Sequence, residues 1–496
     1  MSGTRLRGTA VMLAAAAVVL AGATVVSAVT APTSPGASGR PAIDAGTLAR
    51  SSIPPSAVVI RPEAIHVGEA SAVPPSSAEC EKELQIACYD PAQLQLAYNL
   101  APLFNKGING AGQTIVIVDS YGSPTIGHDL SVFDATFNLP APPSFSVIQP
   151  AGKVPPYTPS ENREGWAGEA TLDVEYAHVM APGASILLVE TPTSENEGTS
   201  GFPQIVKAEE YVIDNHLGGV ISQSFSATEE TFPTAQSLLA LRSAYIDAAA
   251  PGNDVTVLAA SGDSGATDVE SNMTTYYDFP VTSWPDSDPL VTGIGGTRLH
   301  LNAMGYRTSQ DTVWNDSGDA ASAEFAGTSN SGALLASGGG KSIIFSRPSY
   351  QDGVADVVGV HRGVPDISMS AACDGAVDAY QSFAGQSAGW YPTCGTSEAT
   401  PLFAGVVALA DQLADHPLGL INPALYFLSA SQAPGIVGVT EGTNTVSFTQ
   451  DHKAETVKGY SASPGYNLAT GVGTVNVAKF VPELVAAVAA EAASPS

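Results

Sequence analysis

Short runs of uninterrupted apolar residues alternate along this chain with longer stretches in which apolar positions recur every three or four residues. One run, Thr114 to Asp119, is almost wholly β-branched, and comparable runs occupy Ser185 to Val189, Gly219 to Ser222, Val255 to Ala260 and Pro289 to Ile294. Runs this short with no polar face suit strands buried on both sides of a parallel sheet. Helical spacing fills stretches around and between them: Ala92 to Leu103, Glu169 to His178, Phe202 to Asn215 and Ala235 to Ala249. This alternation predicts an α/β fold with a parallel sheet covered by helices on both faces. No internal repeat interrupts it.

The two ends read differently. Arg5 and Arg7 precede a continuous small-apolar stretch from Ala10 to Val26, and Val26-Ser27-Ala28 offers small residues for cleavage. Residues 1–28 therefore have the pattern of a secretory signal peptide. Residues 29–78 are rich in Pro, Ser, Gly and Ala without periodicity, as expected of a leader or linker with no core of its own. The globular domain is expected over residues 79–486, with a C-terminal tail at 487–496. The alanine-rich C-terminal run cannot span a bilayer, because Pro482, Glu483 and Glu491 interrupt it. An extracellular protein, off the membrane once the signal peptide is removed, is the expectation.

Export gives the four cysteines a meaning, since disulfides persist outside the cell. Of three connectivities, local pairing of Cys80 with Cys88 and Cys373 with Cys394 is the simplest. The second pair would close a loop just ahead of Ser397 and contribute roughly 3 kcal/mol. The formal net charge of −29 repels nucleic acid and anionic membranes, which leaves proteins and peptides as partners of an expected monomer. A pI near 4.4 is also common simply for solubility, so it carries functional weight only if the chemistry points to acid as well.

Gly395-Thr396-Ser397, followed by an apolar segment, places a serine where a tight turn enters a helix, a setting that suits a nucleophile. Upstream, Glu169 and Asp173 are one helical turn apart, so both carboxyls share a face. A solvated acidic face explains that spacing equally well. Asp263, in Ser261-Gly262-Asp263-Ser264-Gly265, follows an apolar strand, where α/β active sites gather, although Asp beside Gly also makes ordinary turns. A histidine base has no setting: none of the eight histidines lies in a His-Gly-Thr context. His178 points about 140° away from Asp173 around a helix and reads as a packing residue. Asp119, ending the first strand, could join a histidine-based triad with Ser397, but that triad lacks its histidine motif.

Taken together, Gly168-Glu169-Ala170-Thr171-Leu172-Asp173-Val174, Ser261-Gly262-Asp263-Ser264-Gly265 and Gly395-Thr396-Ser397 resemble the sedolisin, or serine-carboxyl, peptidase family. Gln113 to Asp119, Phe279-Pro280, Gly295-Gly296-Thr297, Trp314-Asn315, Ser337-Gly338-Gly339-Gly340-Lys341-Ser342 and Val364-Pro365-Asp366-Ile367-Ser368 extend the likeness over roughly Pro91 to Leu484. The resemblance implies a subtilisin-like, doubly wound, mainly parallel sheet. It also implies a secreted, acid-active serine peptidase, expected to cut within chains rather than to release tripeptides. Ser397 would be the nucleophile and Glu169 its general base. Asp173 would orient and charge-balance Glu169, and Asp263 would donate a hydrogen bond to the oxyanion. With an ordinary pKa near 4.3, glutamate serves as a base mainly in acid. An oxyanion donor must itself be protonated. Both requirements give the acidic composition a purpose.

Two departures from that family stand out. Its usual calcium site near the C-terminus draws on two aspartates, and the corresponding positions here are Gly438 and Asn467. Calcium prefers several oxygen ligands with some negative charge, so no tight site, and no other cofactor, is expected, although backbone carbonyls and Asn467 remain as ligands for weak Ca²⁺ binding. Many relatives also carry a large folded pro-domain, whereas only a short leader precedes Pro91 here. These departures keep open an alternative, a non-catalytic extracellular binding protein on a peptidase scaffold.

Overall fold

The computed structural model describes residues 65–66, 70–194, 200–318 and 334–493. The predicted signal peptide and most of the predicted leader lie outside them.

An eight-stranded sheet organises the chain. Strand β1 (Thr114–Ser120) is followed by β2 (Phe145–Ile148), β3 (Ser185–Thr191), β4 (Val220–Gln223), β5 (Thr256–Ala260), β6 (Thr292–Arg298), β7 (Thr312–Val313) and β8 (Ile367–Ser370). Their spatial order is β7-β6-β5-β4-β1-β3-β2, with β8 pairing β6 as well. All pairs are parallel except β6 with β7. The apolar run of β1 serves both faces of the sheet. Ile115 and Ile117 enter one core cluster, while Val116 and Val118 enter the other. Successive side chains on a strand point to opposite faces, so a run without polar interruptions is what a doubly covered sheet requires.

Helices α1 (Ile126–Phe137), α2 (Glu161–Met180), α3 (Phe202–Asp214) and α4 (Thr396–Ala414) supply the covering layers. Apolar residues of α2 and α4 pack into the cluster that takes Ile115 and Ile117, whereas α3 buries Phe202, Ile205 and Val212 in the other. Helix α2 starts at a Ser160 cap whose side chain accepts from the Arg163 backbone N–H, and it is buried continuously from Trp166 to Met180. Where α2 meets α4, a Cβ on Gly405 would stand 2.4 Å from the Met180 Cβ. Only glycine lets the two backbones come this close. Leading into α4, the strand Gly389–Cys394 pairs antiparallel with Ala376–Gln381 on one edge and with Ile65–His66, from the predicted leader, on the other. Both local disulfides, Cys80–Cys88 and Cys373–Cys394, are formed.

Several element bounds differ from the hydrophobic pattern. The helix expected over Ala92 to Leu103 is split into Pro91–Ala97 and Ala101–Phe104, because Asn99 adopts φ 61°, a left-handed stop. Ala235 to Ala249 likewise divides into Ala235–Leu239 and Ser243–Ala248. Helix α5 (Val477–Ala492) runs past residue 486 into the predicted tail, because Phe480, Val481, Leu484 and Ala487 anchor its inner face.

An unusual number of carboxyls are buried. Burial, with the Glu190 charge adding, pushes Asp119 up to about 8, and burial pushes Asp134 up to about 7. Burial also holds Glu175, Glu209, Asp378, Glu398 and Asp411 well above the ordinary carboxyl range. A carboxyl raised in the folded state binds its proton more tightly folded than unfolded. Its stabilising contribution is complete below the unfolded pKa, near 4, and is lost as pH rises through the folded value. For Asp134 and Asp119 the window of loss therefore runs from near 4 up to about 7 and about 8. Thermal unfolding followed by circular dichroism is expected to give its highest Tm in acid and a fall of several degrees on moving to mildly alkaline buffer. Asp119→Asn should shrink that fall. A Tm that rises over this interval would contradict the assignment.

Candidate active site

Glu169 and Asp173 are both fully buried in the middle of α2, which rules out a solvated acidic face. Their surroundings join three elements at the C-terminal edge of the sheet. Ser224, the residue immediately after β4, donates its hydroxyl to Asp173 Oδ1 at 2.9 Å, and that hydroxyl lies 3.5 Å from the Ser397 carbonyl oxygen. One side chain thus bonds to the helix bearing the carboxyls and lies against the helix bearing the serine. Nothing in the hydrophobic pattern singles out Ser224. Its one signal is position, at the carboxyl end of a parallel strand.

Ser397 is the second residue of α4, so its hydroxyl sits at the positive end of that helix dipole. Gly395 makes the entry turn with φ 126°, and Ser397 Oγ forms no hydrogen bond among the described residues. Asp263, in the loop after β5, is held against the same turn. Its Oδ1 accepts from the Thr396 backbone N–H at 2.7 Å and from the Thr396 hydroxyl at 2.8 Å. Thr396 Oγ1 in turn accepts from the Gly262 N–H at 3.2 Å. The glycine-rich segment after Ser337 backs this loop. A Cβ on Gly338 would stand 1.8 Å from the Ser261 carbonyl oxygen, and its N–H donates to the Gly262 carbonyl at 2.7 Å.

All four predicted site residues are thus carried to one end of the sheet by α2, α4 and the β5 loop. A paired buried carboxyl, a hydroxyl at a helix N-terminus and a third carboxyl fixed beside it are the parts that acyl transfer needs. No histidine completes a competing triad. His178 is buried at the far end of α2, where Nε2 meets the Pro140 carbonyl at 2.7 Å and lies 3.4 Å from Asp134. His66 comes near Gly168, yet its ring stacks on Tyr391 and its Nε2 contacts Gln381 at 2.9 Å. Burial lowers its pKa to about 4. Asp119 lies across the β1–β3 pair from Glu190, and its carboxyl forms no hydrogen bond.

A subtilase family model matches residues 165–425, a span that contains Glu169, Asp173, Ser224, Asp263 and Ser397. The chain belongs to the subtilase family. Within it the relatives are of the sedolisin branch. Kumamolisin of Bacillus sp. (strain MN-32) is 34% identical over 403 residues, covering 78% of this chain and 62% of its own. Sedolisin of Pseudomonas sp. (strain 101) is 30% identical over 420 residues, covering 84% of this chain and 63% of its own. Human tripeptidyl-peptidase 1 is 29% identical over 329 residues, covering 63% of this chain and 51% of its own. The chain thus spans between half and two thirds of the length of these relatives. The solved structure of Pseudomonas sedolisin, a serine-carboxyl proteinase complexed with two molecules of pseudo-iodotyrostatin, superposes with TM-score 0.65 at 24% identity. It covers 81% of this chain and 99% of that one, which establishes the subtilisin-like fold.

The residues at the sedolisin calcium positions do not fit a cation here. Gly438 brings no side chain, and Asn467 Oδ1 already accepts from the Ala469 N–H, the Thr470 N–H and the Thr470 hydroxyl at 3.0–3.2 Å. Among the described residues, no cluster of three or more His, Cys, Asp or Glu could hold a metal ion. No helix among them is long and apolar enough to cross a membrane.

Hydrogen bonds to charged groups are worth about 1.5–3 kcal/mol. Ser224→Ala is therefore expected to lower kcat/KM for a peptide by about ten- to a hundredfold, with the fold retained. Steady-state kinetics of that variant, beside its circular dichroism, check the assignment. Wild-type kinetics would show that Ser224 has no part in aligning the pair.

Proposed function

We propose that the protein is a secreted, acid-active serine-carboxyl peptidase that hydrolyses peptide bonds in protein or peptide substrates through an acyl-enzyme on Ser397. The observation that carries this reading is the buried Glu169–Asp173 pair, with Ser224 donating to Asp173 and lying against the main chain of Ser397, and with no histidine in the arrangement.

In the forward step Ser397 Oγ attacks the peptide carbonyl carbon while its proton passes to Glu169. The carbonyl π electrons move to oxygen, forming the tetrahedral oxyanion. Asp263, protonated, donates to that oxyanion. Because its Oδ1 is committed to accepting from Thr396, Oδ2 is the oxygen left to carry the proton. Collapse expels the amine, which takes the proton back from Glu169, and water then repeats the sequence on the ester. Asp173 stands one turn from Glu169, so the two titrate jointly, and Ser224 holds Asp173 in position. Catalysis demands an ionised Glu169 and a protonated Asp263 at once, and moderately acid medium favours that combination.

Cleavage within chains is proposed over tripeptide release, since identity is higher to kumamolisin and to the proteinase sedolisin than to tripeptidyl-peptidase 1. The enzyme is proposed to act as a monomer, free of nucleic acid and membrane. Ser397→Ala and Glu169→Gln are expected to abolish digestion of an unfolded protein in acid while leaving the fold intact. Asp263→Asn should lose about a hundred- to a thousandfold in kcat, because an amide is a weaker donor than a carboxylic acid. Mass spectrometry of the digest reads both rate and cleavage position. Full activity of folded Ser397→Ala would refute Ser397 as the nucleophile, and no cleavage by the wild-type protein would instead favour a binding protein on this scaffold.

Calcium independence belongs to the same proposal. Titration calorimetry of metal-free protein with Ca²⁺ is expected to show no tight binding, and Tm should not rise with added Ca²⁺. Binding with a micromolar or lower Kd would refute this.

A further inference from the structure

Six arginines lie among the described residues, and the other five each pair with an aspartate, whereas Arg163 has no ion pair. Arg163 stands in the first turn of α2, on the helix that carries the Glu169–Asp173 pair. Its guanidinium carbon lies 4.3 Å from the ring centroid of Tyr121 and 5.4 Å from that of Tyr157. Both terminal nitrogens donate to one acceptor, the Pro155 carbonyl, at 3.3 Å, and the buried Nε–H has no acceptor among the described residues. A guanidinium carries five N–H donors in a planar fork shaped for a carboxylate, so most of this fork is unspent. Glu190, the carboxyl whose field reaches Arg163, gives one oxygen to the Gln149 amide at 2.7 Å and is itself raised by burial.

The rings are held in place deliberately. Tyr157 is anchored through its hydroxyl to the Ala384 carbonyl at 2.7 Å. Tyr121 adopts φ 64° at the turn that ends β1, a conformation that is strained for a bulky side chain and that recurs at ligand clamps. Two rings that grip a cation while its donors stay unmet make a receptor for an anion.

We propose that Arg163, clasped by Tyr121 and Tyr157, is a specificity-determining residue that receives a carboxylate of the peptide substrate. The proposal rests on the peptidase reading above. Six residues separate Arg163 from Glu169, about 9 Å along the helix axis at about 1.5 Å per residue. An extended peptide advances about 3.3 Å per residue, so the carboxylate belongs two to three residues from the scissile bond. It can come from an Asp or Glu side chain or from the C-terminus of a short peptide.

Two peptide series on one neutral background distinguish these sources. In the first, C-terminally amidated, Asp or Glu is moved one position at a time on both sides of the scissile bond, with Asn or Gln as control. In the second, side chains stay neutral and a free C-terminal acid is compared with its amide at increasing distance. One charge-assisted contact corresponds to about a tenfold acid-over-amide ratio in kcat/KM, expected at a single position in one series. Arg163→Gln should bring that ratio to about one, and Arg163→Lys should retain part of it. A wild-type enzyme without preference at any position, or the same ratio in Arg163→Gln, would overturn the proposal while leaving the peptidase reading intact. Failure to cleave any peptide would remove both.

Discussion

Contact between the backbones of α2 and α4 is the constraint on which the rest of the site depends. These two helices lie on one face of the sheet and meet where Gly405 faces Met180, closer than any side chain would allow. From that crossing, one helix carries Glu169 and Asp173 and the other carries Ser397, so the separation of the proposed base and the proposed nucleophile is set by close-packed main chain rather than by a loop. A larger residue at position 405 would push the helices apart, and with them the Ser224 bridge. Such a contact tolerates little adjustment, since packed interiors transmit displacements instead of absorbing them.

A second consequence follows from placing carboxyls in that packed layer. Two acids in a dry helix core are unfavourable at neutral pH and acceptable when protons are plentiful. The same holds for Asp119, Asp134, Glu175, Asp378 and Glu398, none of which has a salt bridge to a lysine or arginine among the described residues. Stability and proposed chemistry therefore make the same demand on the medium. An interior built this way ties the working range of the proposed site to that of the fold.

Most of the architecture was legible in the sequence because each layer leaves its own period. The β1 run had no polar face because Ile115, Val116, Ile117 and Val118 feed two cores at once. The Glu169–Asp173 spacing was visible, but whether it faced water was not, because burial depends on α4, more than two hundred residues downstream. Ser224 was invisible for a related reason: a lone serine after a strand has no pattern, and its role appears only when Asp173 and Ser397 converge on it. Element bounds shifted where a single backbone conformation decided them, as at Asn99. At the family's calcium positions the sequence shows only missing charge. The structure adds that Asn467 is already occupied by its own turn.

The central claim is that Ser397 is acylated with a carboxylate, not a histidine, as its base. Acid-quenched mass spectrometry during turnover of an excess of activated peptide ester tests it most directly. The expected result is an acyl adduct confined to the fragment containing Ser397, formed rapidly in acid by the wild-type protein and absent from Glu169→Gln. An adduct on another residue, or acylation of Ser397 that persists undiminished in Glu169→Gln, would contradict it.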